Sequence, residues 1–152
     1  MAKAKKIGII FGIIIAGIGL AAISPYFYNT SIDEAAPGSD SMDVSEMTKQ
    51  SGVFVGVGDG IHDAAGDAMV LSTDDGTRYL RFENFKATNG PDLYVYLSTD
   101  EGASDYVSLG TLKANMGNQN YEIPSDVNVA KYSKVLIWCK AFSVLFGSAD
   151  LA

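Results

Sequence analysis

One cysteine and one histidine in 152 residues remove much of the chemistry that a small protein can carry. A single thiol forbids an intramolecular disulfide. One imidazole and one thiol fall short of the two histidines and cysteine of a blue-copper centre, and of the roughly four Cys and His ligands of a structural zinc. A Cys or Ser nucleophile would have to take its base from that same histidine, which argues against a hydrolase. Basic residues are scarce as well: 11 Lys and Arg stand against 18 Asp and Glu, with a net charge of -7. Beyond the first six residues there is no basic stripe, so nucleic acid is excluded as a partner. The acidic positions Asp59, Asp63 and Asp67, and later Asp100, Glu101 and Asp105, lack the D-x-[DN]-x-[DN]-G spacing of a calcium loop and read as solvated turns. The glycines of GVGDG precede a strand pattern rather than a helix, so they are no dinucleotide fingerprint.

What the chain does have is one long apolar run. MAKAKK is followed by IGIIFGIIIAGIGLAAI, Ile7 to Ile23, without a charged side chain. As a helix it spans roughly 25 Å, enough for a single membrane crossing. Pro25, Tyr26, Phe27 and Tyr28 then supply an interfacial aromatic belt. Lys3, Lys5 and Lys6 place residues 1–6 inside and everything after Ile23 on the extracytoplasmic side. A cleaved signal peptide is the alternative, but its best site, Ala22-Ile23-Ser24, is followed by Pro25, and the run exceeds an ordinary h-region. Gly8 and Gly12 form a GxxxG pair, which alone does not establish dimerisation. Residues 24–50, rich in Ser, Asp, Glu and Pro and without sustained periodicity, are expected to be a flexible acidic tether, with Asn29-Thr30-Ser31 as a glycosylation sequon.

From residue 51 to 152 the period is two, and no amphipathic helix of ten residues is evident. GVFVGVG places Val53, Val55 and Val57 on one face. GDAMVLS leads through Thr73-Asp74-Asp75-Gly76 into RYLRFENF, and Asp-Gly is a hairpin signal because both residues tolerate positive φ. In that next strand Leu80 and Phe82 face opposite to Tyr79, Arg81 and Glu83. DLYVYLST sets Leu93, Val95 and Leu97 against Tyr94 and Tyr96. YVSLGTLK, NQNYEIP, KVLIWCKAF and SVLFGSADL complete the series. Seven or eight short strands at this spacing predict an all-β fold, an antiparallel sandwich or flattened barrel.

In KVLIWCKA, Lys134, Leu136, Trp138 and Lys140 share one parity, and Val135, Ile137, Cys139 and Ala141 the other. The lysines mark the wetter face, so Cys139 is expected to point inward, where a thiol behaves as a small hydrophobe. Tyr94, Tyr96 and Trp138 face away from that core and are candidates for a surface that stacks on a sugar, a quinone or a protein. His62, in DGIHDAAGD, is the candidate nitrogen ligand. A copper(I) set of His62, Cys139 and either Met69 or Met116 is chemically conceivable, but no metal site follows from the sequence and no cofactor is identified by it.

Four blocks, GVFVGVGDGIHDAAGDAMVL, YLRFENFKATNGPDLYVYLS, YVSLGTLKANMGNQNYEIP and VLIWCKAFSVLFGSADL, cover nearly all of residues 51–152. Together they resemble the DM13 domain, a small extracellular module proposed to act in electron transfer and often found with DOMON domains. The resemblance implies a β-sandwich, carries the family's redox cysteine onto Cys139, and matches its early histidine to His62. No DOMON or other haem module accompanies it in this chain, so electron transfer requires a separate redox partner protein. The expectation is a single-pass, membrane-anchored extracytoplasmic module that takes part in electron transfer through Cys139. The alternative is an adhesion or ligand-binding sandwich working through its aromatic surface, with Cys139 as packing.

Overall fold

Alternation in the sequence becomes strands wherever one face can be dried by a partner sheet. The computed structural model describes residues 28–40 and 43–152. The expected anchor, residues 7–23, lies outside the described residues, among which no helix is long and apolar enough to cross a membrane. One sheet has the order β1 (Ser31–Asp33), β8 (Met116–Ile123), β5 (Arg78–Ala87), β4 (Ala64–Ser72), β2 (Thr48–Val53). The other runs β3 (Val55–Gly56), β10 (Val144–Asp150), β9 (Lys134–Cys139), β6 (Leu93–Ser98), β7 (Tyr106–Thr111). All neighbours are antiparallel except β1 and β8, which are parallel. Two such sheets face to face make the expected sandwich.

The core lies between them. Leu80, Phe82 and Tyr121 come from one sheet, Val95, Leu97, Val135 and Ile137 from the other. Aromatic rings fill its widest part: Phe82 lies 4.9 Å from Phe54 and 4.9 Å from Phe85, centroid to centroid, and 5.3 Å from Tyr121. The hairpin between β4 and β5 closes as its Asp-Gly pair predicts, with Gly76 at φ +83° and the Thr73 N–H donating to the Thr77 carbonyl.

Two expectations need correction. The single strand expected over GVFVGVG is divided between β2 and β3; Val53, Val55 and Val57 do share a face, the wet one, with Val53 and Val55 64% and 68% exposed, while Phe54, of opposite parity, is buried. The chain changes sheets at this point, between β2 and β3, and only the large ring reaches the core.

The second correction concerns residues 24–50, expected to be a tether. Of these, 28–40 and 43–50 are described, and they are built onto the domain. β1 adds to the free edge of β8, Glu34 bonds Lys113 at 2.8 Å, and its carbonyl accepts from Arg81 at 3.1 Å. Arg81 points to the outer face of its sheet as expected, yet is only 5% exposed, because this segment covers it while Glu83 and Asn120 take up its guanidinium. A one-turn helix, α1 (Val44–Met47), capped by the Asp43 carboxylate on the Ser45 N–H, packs against β4, and both Met47 and Leu71 are fully buried. The composition is that of a linker. Its stability comes from a host sheet that supplies hydrogen-bond partners, which composition cannot register.

Candidate functional site

Cys139 is the last residue of β9, so its inward-pointing thiol sits at one end of the sandwich rather than at its centre. It is 1% exposed, between Leu93 of β6 and Val144 of β10 in the ladder. The strand stops there because the chain must reverse: Ser143 takes φ +54°, and the Lys140 N–H donates to the Asp92 carbonyl.

His62 reaches the same end from the loop between β3 and β4. The Asp59 carboxylate organises that loop, accepting the N–H groups of Ile61 (2.8 Å) and His62 (2.7 Å) through Oδ1, while Oδ2 lies 2.6 Å from Nδ1 of the His62 ring. These hydrogen bonds, the His62 N–H foremost and then its ring, hold the Asp59 carboxyl down from 3.8 to about 2. Asp59 is therefore an acceptor at neutral pH, which puts the neutral ring's proton on Nδ1 and leaves Nε2 as the lone-pair nitrogen. The other face of the ring packs on Phe146, 4.5 Å between centroids.

The two side chains line one pocket of about 330 Å³, walled by Ile61, Phe142, Val144 and Phe146 and edged by Asn89, Gly90 and Pro91. Its size is at the small end for ligand pockets, and its walls are mainly apolar with few polar groups, which is the usual composition of such sites. Chemically it offers a soft sulfur, an oriented imidazole and mainly apolar walls.

The other candidate residues do not join it. Met69 lines a different pocket, beside β2, and Met116 opens β8, so neither completes a copper(I) set with His62 and Cys139. Among the described residues no three His, Cys, Asp or Glu side chains are grouped to hold a metal ion. Asp100 caps its own turn through Gly102 and Ser104, and Asp105 pairs with Lys131. Tyr94, Tyr96 and Trp138 lie together on the outer face of the second sheet, but not as an open platform. Tyr96 is 2% exposed beneath Tyr106, whose ring stacks on it at 4.2 Å. Burial first, and then the neighbouring Tyr106, push the Tyr96 hydroxyl up to about 12.

Sequence reasoning placed Asp59 in a turn but missed its bonds to His62, and it missed the phenylalanine walls. The signal for Asp59 was present as D-G-I-H, an Asp followed by Gly with an imidazole three residues on, which is the pattern of a side chain that bonds its own turn.

The Asp59 bond carries a pH prediction. A carboxyl whose folded pKa is depressed contributes stability above its unfolded value, and that contribution is lost as pH falls from 3.8 towards about 2. The Ile61 and His62 backbone amides, both held by Asp59, are therefore expected to move together in chemical shift within that acid window. Asp59→Asn should abolish the acid step; a step that persists in the variant would assign it to another group.

A family model described as electron transfer DM13 matches residues 57–151. No curated protein and no solved structure matches the chain.

Proposed function

Because the chain belongs to the DM13 family, described as an electron-transfer domain, we propose that it is a membrane-anchored extracytoplasmic module whose redox centre is built on Cys139 and which exchanges electrons with a separate redox protein. The observation that supports this reading is the convergence of the only cysteine and the only histidine, 77 positions apart in sequence, on one apolar pocket. A thiol whose task is packing needs no cavity in front of it, and none shared with an imidazole.

The residues that would hold a redox group are Cys139 through its sulfur and His62 through Nε2. Such a group would supply a reversible one-electron couple, and ligation would keep the sulfur as thiolate. The remaining residues serve these two. Asp59 fixes the imidazole tautomer and orientation, as carboxylates do behind ligating histidines. Cys139 itself is 1% exposed, and a sulfur so removed from water lowers the cost of reorganising the surroundings when an electron moves.

The test is the full chain, purified with its native metal and cofactor complement, with its visible spectrum, metal content and native-state thiol reactivity measured. Visible absorption or bound metal is expected, lost in Cys139→Ser while far-ultraviolet circular dichroism shows that the β-fold is kept. A colourless, metal-free chain whose thiol reacts only after denaturation would overturn the reading.

A further inference from the structure

The docking of residues 29–34 fixes where the chain comes into the domain. Asn29 accepts hydrogen bonds from Asn89 (3.1 Å) and Asn115 (2.9 Å), and the Thr30 N–H donates to Asn115 (2.6 Å). Tyr28, 67% exposed, stands against the Asn89–Pro91 loop, and the other side of that loop lines the Cys139 pocket. Between the last residue of the apolar run, Ile23, and this docked point there are only residues 24–28. Fully extended, that stretch reaches roughly 17 Å. A folded unit of this size, with a radius of gyration of about 13 Å, is roughly 30 Å across. The linker is shorter than the domain is wide, so the end that carries Tyr28 cannot be turned away from the bilayer.

That end exposes two large apolar side chains. Ile61 and Phe142 are 72% and 69% exposed, and both stand at the mouth of the Cys139 pocket, one from the β3–β4 loop and one from the β9–β10 turn. The charges near them, Asp59, Asp63, Asp92 and Lys140, are of mixed sign, so attraction to anionic lipid is not what would hold this surface. Apolar insertion is.

We propose that the pocket end of the domain rests on the lipid surface of the membrane that holds residues 7–23, with Ile61 and Phe142 inserted at the headgroup boundary and Tyr28 beside them. The inference rests on the anchored reading given under Proposed function. Side chains so placed enter the boundary by roughly 5–10 Å. The pocket mouth then opens towards lipid rather than bulk water, which selects for ligands that dissolve in the bilayer.

The experiment uses the full chain reconstituted in phosphatidylcholine vesicles with brominated acyl chains. Trp138→Phe is made throughout, and one tryptophan is returned as Ile61→Trp, Phe142→Trp or, at the opposite end of the sandwich, Tyr106→Trp. Quenching at 61 and 142 several-fold stronger than at 106 is expected. Equal quenching at all three, or none at 61 and 142, in vesicles that carry the chain on flotation overturns the docking and leaves the anchor standing. Chains that do not float with the vesicles overturn the anchor, and the docking with it. Hydrogen exchange on the unsubstituted chain gives a second readout, with slowed exchange at 60–62 and 141–143 but not at the far turn 100–104; protection at neither end, or equally at both, counts against the proposal.

Discussion

Phe82→Ala is expected to lower the unfolding free energy by about 3–5 kcal/mol, the range for removing a fully buried aromatic ring. Phe82 has no exposed surface and sits on β5, the middle strand of its sheet. Its ring is enclosed by Phe54, Phe85 and Tyr121. Neighbours held by their own backbones on β5 and β8 can move only partly into the space, so a cavity cost adds to the lost transfer energy. A domain of this size has about 5–15 kcal/mol in total, so the variant would sit near the edge of folding. Urea unfolding should show a lower midpoint at unchanged slope. A loss below about 1 kcal/mol would mean that the ring is not the centre of the core.

Removing the N-terminal segment should cost a comparable amount. A chain beginning at residue 51 loses β1, α1 and part of β2, and so exposes Leu71 and the guanidinium of Arg81 and gives up the buried Met47. Apolar side chains uncovered at about 1.5–3 kcal/mol each, and hydrogen bonds at about 1 kcal/mol each, bring the expected loss to the order of 5 kcal/mol. Gly117→Ala tests the same contact without deleting anything. Gly117 has φ +100°, and an added Cβ would stand 2.0 Å from the Ile32 carbonyl oxygen, so β1 must lift from β8. A loss on the order of 2 kcal/mol is expected, with faster hydrogen exchange at 31–34 than in the parent chain. Equal stability of the chains beginning at 28 and at 51 would show that the segment is an ornament. The family match begins at residue 57, so it marks less than the whole folded unit.

Strands were legible because their information is local. Leu80 against Arg81, Leu93 against Tyr94 and Val135 against Lys134 each state a parity within a few residues, and the Asp75-Gly76 hairpin states its own turn. The inward direction of Cys139 followed from the same parity. For GVFVGVG the alternation said which valines share a face but not which face is dry; that was decided by the crossing between sheets at Phe54. The docked segment was not legible, since Glu34 finds its partners in Lys113 and Arg81, far along the chain. Nor was the pocket that Cys139 and His62 share, which depends on three loops arriving at one end of the sandwich.

The parallel pairing of β1 with β8 also decides how the molecule bears load. Both strands run away from the end at which Tyr28 enters. Tension applied through the N-terminus therefore acts along β1, across its hydrogen bonds, so Met116 N–H to Thr30, Glu34 N–H to Asn118 and the Asn118–Asp33 side-chain bond are strained together instead of being unzipped in turn. A shear clamp of this kind yields as a unit, and rupture at β1 leaves the ladder of β8 with β5 out of the path of the force.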